Sequence, residues 1–244
     1  MTRARDYGET WVYESLVGAI PGLSLPVRDA LALQFVLFEV GIVLVAGVYG
    51  LWSAVPAGTA AVLVATAGSA VMLALARGIR ALPAPEAYRR LLFGTRIELV
   101  LGLLAYVALV TYLFVVDPRR PGPSFVRTLF GPRPPAVPVY LGLLVLWDVC
   151  YRIGTAWWAS VTGAWRTLRY RHEFDGPTRL AYRRLDLLTI GFAGVQLVLL
   201  PFVWGRPVFV VVLVGHVVAV TVVSGTSVLL LSTGAIAGTD DSRA

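Results

Sequence analysis

Two oppositely charged side chains stand one helical turn apart inside a long apolar segment of this 244-residue chain. The segment reads LVLWDVCYRIGTAWWASVT from residue 144 to residue 162, and it contains Asp148 and Arg152. An aspartate four residues before an arginine is the favourable order for an ion pair within a helix. Because ionisable groups are expensive in a membrane helix, they mark structural or functional sites. The pair therefore predicts either an ion pair that fixes helix packing or a charged part of a transport site.

Three other apolar segments carry a polar residue near the same depth: Glu39, Gln196 and His216. If Glu39 and Asp148 both met Arg152, one negative charge would be left over, and either Glu39 or His216 would take up a proton. Proton-coupled transport needs such a site. The candidate transport site therefore consists of Glu39, Asp148, Arg152 and His216, while Gln196 alone predicts nothing.

The composition predicts that membrane helices position these residues. Hydrophobic residues make up 57% of the chain and charged residues 14%, which is typical of an integral membrane protein. Crossing the hydrocarbon layer takes about 20 helical residues. Six apolar runs are long enough: residues 30–52, 57–77, 97–116, 138–161, 186–204 and 208–232. We predict an all-α bundle of six spans, with Pro201 kinking or ending the fifth.

Arginines indicate the orientation of the bundle. All 21 basic residues are arginine, and a model with the N-terminus inside places fifteen of them on the inner side and five on the outer side. The remaining one is Arg152. The positive-inside rule therefore predicts that both termini are cytoplasmic. The net charge of +7 is then a topology signal, and we expect no nucleic acid partner.

The segments outside the spans divide the chain into three parts. We expect residues 1–29 to form a cytoplasmic segment without a cleavable signal peptide. Within it, we expect residues 8–20 to be either a short interfacial helix or a loosely structured leader. Residues 30–232 form the bundle as a single domain, and residues 233–244 form a flexible tail. The loop 117–137 contains six prolines, so it is either a cap over the bundle or a rigid connector.

A five-residue sequence occurs twice. Residues 87–91 and 181–185 both read AYRRL, each in a predicted cytoplasmic loop just before a span. Two interpretations stay open: a duplicated hairpin of the kind found in some transporters, or coincidence in a chain where paired arginines end an apolar helix at the headgroups.

Signatures of catalysis and of cofactor binding are not recognisable, so we predict neither an enzyme nor a cofactor. The chain contains no GxSxG, HExxH or GxGxxG motif. The cluster His172, Glu173 and Asp175 favours a solvated turn over a metal site, because Asp-Gly is a turn sequence. The single cysteine, Cys150, has no cysteine partner for an internal disulfide, and we interpret it as a core residue.

Four segments together resemble an uncharacterised family of polytopic membrane proteins from halophilic archaea. They are the leader GETWVYESLVGAIPG, the junction AYRRLLFG, the span LWDVCYRIGTAWWASV and the stretch VGHVVAV. The resemblance covers nearly the whole chain. It implies residence in the cell membrane and assigns no activity.

Three hypotheses about function follow. The leading one is a small transporter or channel-like protein for a proton, an ion or a small solute that uses the charged cluster. The second is a scaffold or partner subunit whose buried charges lock the helices together, either in a homo-oligomer or with another membrane protein. The third is an intramembrane enzyme acting on lipid, which would need acids or histidines at headgroup level rather than deep in the membrane.

Overall fold

The computed structural model describes Trp11 and residues 25–233, and six long helices dominate this part of the chain. Each of the six is long and apolar enough to cross a membrane, so the fold is that of an integral membrane protein. We label them α1 to α6 in chain order. Their bounds are Val27–Tyr49, Trp52–Ala81, Glu86–Arg119, Ala136–Tyr170, Gly176–Val203 and Pro207–Thr233.

Several helices extend beyond the apolar runs that predict them. The longest, α4, has 35 residues, which at 1.5 Å per residue is about 52 Å, well beyond a hydrocarbon layer of about 30 Å. Its predicted run stops at residue 161, yet the helix continues through Arg166 to Tyr170. Hydropathy detects only the apolar part of a helix. Arginine also favours the helical conformation, so a helix can continue through arginine-rich turns that a hydropathy criterion leaves out.

Two of the helices are irregular. In α3, a π-helical segment Arg90–Gly94 precedes the regular helix Ile97–Thr111, and Arg96 between them has a φ of 57°. In α5, the 3-10 turn Gln196–Leu199 precedes Pro201, and the helix continues to Val203. Proline has no N–H for the carbonyl four residues earlier. The carbonyl of Leu197 instead accepts from the N–H of Leu200, so α5 tightens at this point without ending.

The centre of the bundle is α4, which packs against α2, α3, α5 and α6, whereas α1 packs mainly against α2. α3 and α4 cross closely at Gly102 and Gly154. A Cβ added at Gly154 would lie 2.9 Å from the backbone nitrogen of Gly102, so only glycine allows these backbones to approach so closely. α2 is the most buried of the six helices, in agreement with the small residues Ala61, Ala65 and Ser69 along it.

The two ends of the bundle differ in composition. The arginine-rich end contains the connections α2–α3 and α4–α5, and the proline-rich end contains the connections α3–α4 and α5–α6. The short helix Phe125–Phe130 lies at the proline-rich end, against α4 and the 3-10 turn Trp52–Ala54. Near the arginine-rich end, the buried ring of Trp11 lies 5.0 Å from that of Phe93. The rest of the predicted interfacial segment 8–20 and nearly all of the predicted tail 233–244 fall outside the described residues.

Candidate functional site

The structure joins the two charged residues that the sequence places one turn apart. Arg152 donates from Nη2 to Asp148 Oδ1 at 3.0 Å and from Nε to Oδ2 at 3.4 Å. Its Nη1 also points at the sulfur of Met72 on α2, at 3.1 Å. The Arg152 side chain is 0% exposed and that of Asp148 is 13% exposed. A bidentate carboxylate partner on the same helix thus neutralises the charge of Arg152.

A glycine on α2 makes room for this arginine. A Cβ added at Gly68 would lie 2.8 Å from Arg152 Cδ and 2.9 Å from the ring of Phe192. Any larger side chain would therefore push Arg152 or Phe192 out of place. The small-residue face of α2 serves to seat a buried guanidinium, beyond its role in close helix packing.

Glu39 lies elsewhere, at the interface of α1 and α2. Thr59 donates to Glu39 Oε2 at 3.0 Å, while Oε1 is buried and has no hydrogen-bond partner among the described residues. On α2, Thr59 precedes Gly68, the neighbour of Arg152, by nine residues, which is about 13 Å along the helix. Glu39 is therefore beyond ion-pair distance of Arg152.

His216 lies at the depth of Arg152 but faces another direction. Ser160 and Ser224 share a hydrogen bond of 2.7 Å between α4 and α6, and eight residues before them stand Arg152 and His216. Arg152 faces α2, whereas the His216 ring packs edge-on against Trp157, with centroids 6.3 Å apart. Of the four predicted site residues, the structure brings Asp148 and Arg152 together and places Glu39 and His216 apart from them.

A second buried ion pair joins α4, α5 and α6 near the arginine-rich end. Arg166 donates to Asp186 Oδ2 at 2.8 Å, and Ser227 donates to the same oxygen at 2.6 Å. Thr167 shares a 2.6 Å hydrogen bond with Ser227 and accepts from Arg166 at 3.1 Å. The side chains of Arg166 and Asp186 are 1% and 7% exposed. We call Arg166, Thr167, Asp186 and Ser227 the lock; it ties three helices together through charged hydrogen bonds.

The two AYRRL sequences meet at the lock. Their tyrosines, Tyr88 on α3 and Tyr182 on α5, pack edge to face with centroids 6.3 Å apart. The guanidinium of Arg166 lies 5.3 Å from the centroid of the Tyr88 ring and 4.0 Å from that of Tyr182. Both rings thus stabilise the cation through their faces. The tyrosine of each repeat therefore contacts the same guanidinium, and Arg166 also donates to the hydroxyl of Tyr88 at 3.4 Å.

Sequence reasoning did not identify the lock. Arg166 lies beyond the predicted end of the fourth span, in a predicted charged loop, and Asp186 is the first residue of the predicted fifth span. Neither residue is a site candidate from the sequence. The signal was present in the AYRRL repeat, which places a tyrosine before each of two apolar spans. The sequence also did not single out Glu98. Its side chain is 0% exposed, and neither carboxylate oxygen has a hydrogen-bond partner among the described residues.

An elongated cavity of about 710 Å³ occupies the proline-rich half of the bundle. All six helices contribute to its wall, and apolar side chains make up nearly all of the lining. Along α4 the lining runs from Pro138 to Ile153, which is about 22 Å. Its polar side chains include Gln196 and His216, and no acid lines it. Such a wall disfavours water and ions.

The cavity reaches the lipid-facing surface at its sides. Leu37 on α1 and Val212 on α6 both line it, and they are 67% and 65% exposed. Phe114 on α3 is a third lining residue at the surface, at 44% exposed. These residues lie on helices long and apolar enough to cross a membrane, so a bilayer around the bundle would place the openings against hydrocarbon.

The short helix Phe125–Phe130 lines the proline-rich end of the cavity through residues 125, 126, 129 and 130. A buried ion pair holds it in place: Asp117 accepts from Arg206 and from the backbone N–H of Phe125, and Arg206 also donates to the carbonyl of Pro123. Asp117 is 0% exposed. The proline-rich loop is therefore anchored as a cap over the cavity, one of the two interpretations that the sequence leaves open.

The cluster His172, Glu173 and Asp175 lies in the turn between α4 and α5. Asp175 accepts from the N–H of Thr178 at 2.9 Å and so caps α5. Hydrogen bonding from the side chain and from the backbone N–H of Thr178 holds the pKa of the Asp175 carboxyl below its usual value. His172 accepts from Arg171 at 3.1 Å. Across the part of the chain that the structure describes, no three histidine, cysteine, aspartate or glutamate residues form a group that could hold a metal ion.

Comparison with known proteins identifies a family. A search of curated proteins and a search of solved structures each returned no match. One family model, described as a family of unknown function, DUF7530, matches residues 6–227. This match covers most of the chain and all but the last turns of the bundle. The halophilic archaeal origin implied by the resemblance stays a prediction. The chain belongs to the family of unknown function DUF7530.

Proposed function

We propose that this protein binds a lipophilic small molecule from the bilayer and carries it within the membrane. The observation that supports this proposal is the apolar cavity. A volume of about 710 Å³ lies in the range typical of small-molecule sites. Its side openings face lipid, and its proline-rich end is capped by apolar side chains. Molecules dissolved in the bilayer can therefore enter it more readily than hydrated ions.

The distribution of charge favours a neutral cargo over a proton or an ion. Glu39, Asp148 and Arg152 do not line the cavity, and Arg152 is already neutralised by Asp148. His216 is the one member of the predicted transport site that borders it. The charged residues then act as packing determinants of the carrier, while the cavity binds the cargo. We accordingly expect Glu39→Gln to leave binding unchanged.

Two neighbouring positions on α3 allow a direct test. Both residues are exposed, but Ala105 lines the cavity and Leu104 does not. We expect Ala105→Trp to fill the cavity and to weaken binding of a fluorescent fatty-chain probe about tenfold, a loss of about 1.4 kcal/mol. Leu104→Trp should bind like the wild type. The measurement is equilibrium titration of the purified full chain in lipid nanodiscs.

Carriage is tested separately from binding. In vesicles containing the protein, an impermeant reductant should quench inner-leaflet probe faster than in protein-free vesicles, and Ala105→Trp should remove the difference. Wild-type binding no greater than that of empty nanodiscs would refute the proposal. Binding without faster transfer would limit it to a binding protein.

The second candidate is a scaffold or partner subunit. The lock favours it, because a buried hydrogen-bond network joining three helices is what a rigid structural element requires. In that case Asp186→Asn would disrupt assembly with a fixed partner and leave probe binding intact. Copurification from native membranes, followed by mass spectrometry of wild type and Asp186→Asn, distinguishes the two candidates.

A further inference from the structure

We infer that the cargo carries a neutral hydroxyl group, which binds Gln196 and His216 at the end of the cavity farthest from the cap. This inference rests on the proposed function, because it assigns the chemistry of a ligand in the same cavity. It comes from polar groups that have no hydrogen-bond partner among the described residues.

Gln196 is the main observation. Its side chain is 0% exposed, and neither Oε1 nor Nε2 has a hydrogen-bond partner among the described residues. A buried amide normally finds partners, because leaving it unpaired costs stability. The other deeply buried glutamine, Gln34, follows this rule: its Nε2 donates to Ser69 Oγ at 3.3 Å. Gln196 borders the cavity and Gln34 does not.

The second observation is the position of His216 at the same end of the cavity. Along α5 the lining runs from Gln196 to Val203, and along α6 from Phe209 to His216. Because α5 and α6 run in opposite directions, both polar residues are the lining residues farthest from the cap. On α4 the corresponding residue is Ile153. His216 Nε2 also lacks a partner within the described chain. Two helices thus present unpaired polar groups at one end of an otherwise apolar cavity.

The chemistry of these groups selects the ligand class. An amide offers a donor and an acceptor, and a hydroxyl can donate to Oε1 while it accepts from Nε2. A ketone only accepts. A carboxylate also only accepts, and it would bring a charge into an apolar wall that offers no cation. The elongated apolar part of the cavity suits the hydrocarbon body of the same molecule. The geometry therefore favours a lipophilic alcohol.

A matched series of ligands tests the assignment. Hexadecanol, hexadecanone and hexadecane have the same chain length and differ in hydrogen bonding. Each is titrated into the full chain in nanodiscs to displace a bound fluorescent fatty-chain probe. We expect hexadecanol to bind about tenfold more tightly than hexadecane, with hexadecanone between them, since tenfold corresponds to about 1.4 kcal/mol.

Substitutions assign the effect to one side chain. Gln196→Leu should lower the affinity for hexadecanol to that for hexadecane and leave hexadecane binding within about twofold, because only the hydrogen bonds are removed. The matched control is Gln34→Leu, which removes a buried glutamine away from the cavity and should preserve the preference. His216→Phe should reduce the preference in part.

The outcomes separate this inference from the proposed function. If none of the three compounds displaces the probe, or if the probe does not bind, the proposed function fails. If all three bind equally, or if Gln196→Leu keeps the preference for the alcohol, the hydroxyl assignment is wrong and the lipophilic cavity stands. Hexadecanone binding as tightly as hexadecanol would also overturn the assignment.

Discussion

At the scale of single residues, two of the buried ion pairs among the described residues differ in construction. Asp148 and Arg152 lie on one helix and form a bidentate ion pair there, and Arg152 also contacts Met72 on α2. Arg166 and Asp186 lie on different helices and depend on the packing of α4 against α5. The first pair is a local feature of the sequence, and the second exists only in the folded bundle.

Replacing one member of the Asp148 and Arg152 pair should destabilise the protein more than replacing both members. Asp148→Ala leaves a buried cation without its carboxylate, and we expect a loss of about 3 kcal/mol. The double variant Asp148→Ala with Arg152→Met should recover most of this, because two apolar side chains need no partner. Reversible unfolding in mixed micelles measures both. A double variant as unstable as the single one would show that Arg152 stabilises the fold through other contacts.

The lock makes a prediction about two hydroxyl groups. Ser227 bonds both Asp186 and Thr167, so Ser227→Ala should lower the free energy of unfolding by about 1 to 2 kcal/mol. The buried hydroxyl of Tyr182 has no hydrogen-bond partner among the described residues. Tyr182→Phe keeps the ring over Arg166 and should be nearly neutral. The same unfolding assay compares the two, and an equal loss in both variants would contradict this account.

At the scale of elements, irregularities in the helices coincide with the polar groups that they position. The 3-10 turn of α5 begins at Gln196, and the regular part of α3 begins next to Glu98. The helix Phe125–Phe130 within the cap is likewise a short element that depends on tertiary contacts. Its six residues are too few to be stable as an isolated helix, so Asp117 and Arg206 must hold it in place.

We therefore expect Arg206→Gln to release the cap. Amide hydrogen exchange across Phe125–Phe130 should become at least about tenfold faster, because local opening no longer breaks a buried ion pair. The matched control is Arg120→Gln, since Arg120 donates to Tyr112 through an exposed contact at 3.0 Å. If both variants show the same exchange rates, the Asp117–Arg206 ion pair does not hold the cap in place.

At the scale of the whole molecule, the positive-inside rule predicts which end of the bundle faces the cytoplasm. The chain has one cysteine, so Cys150→Ala gives a background without cysteine. A new cysteine at Glu173, at the arginine-rich end, should resist an impermeant thiol reagent added to intact cells. One at Arg133, at the proline-rich end, should react. The reverse pattern would invert the predicted topology and place the capped end inside.

Much of the architecture was predictable, because spanning a membrane imposes a length and a composition that the chain displays directly. Six spans follow from apolar runs, and the Asp148 and Arg152 pair follows from their spacing along a helix. The Arg166 and Asp186 pair was not predictable in this way. Its members are separated by twenty residues, and only the extension of α4 and α5 beyond the hydrocarbon brings them together.

The sequence by itself determined the class of protein, the number of spans and the local ion pair, because each depends on residues close together along one helix. Tertiary structure alone decided that Glu39 and His216 lie apart from that pair, that the AYRRL tyrosines enclose one arginine, and that Gln196 borders a cavity. The physical reason is that the rotation and tilt of each helix depend on packing against its neighbours. Hydropathy records how long a membrane helix is, and packing decides which side chains meet.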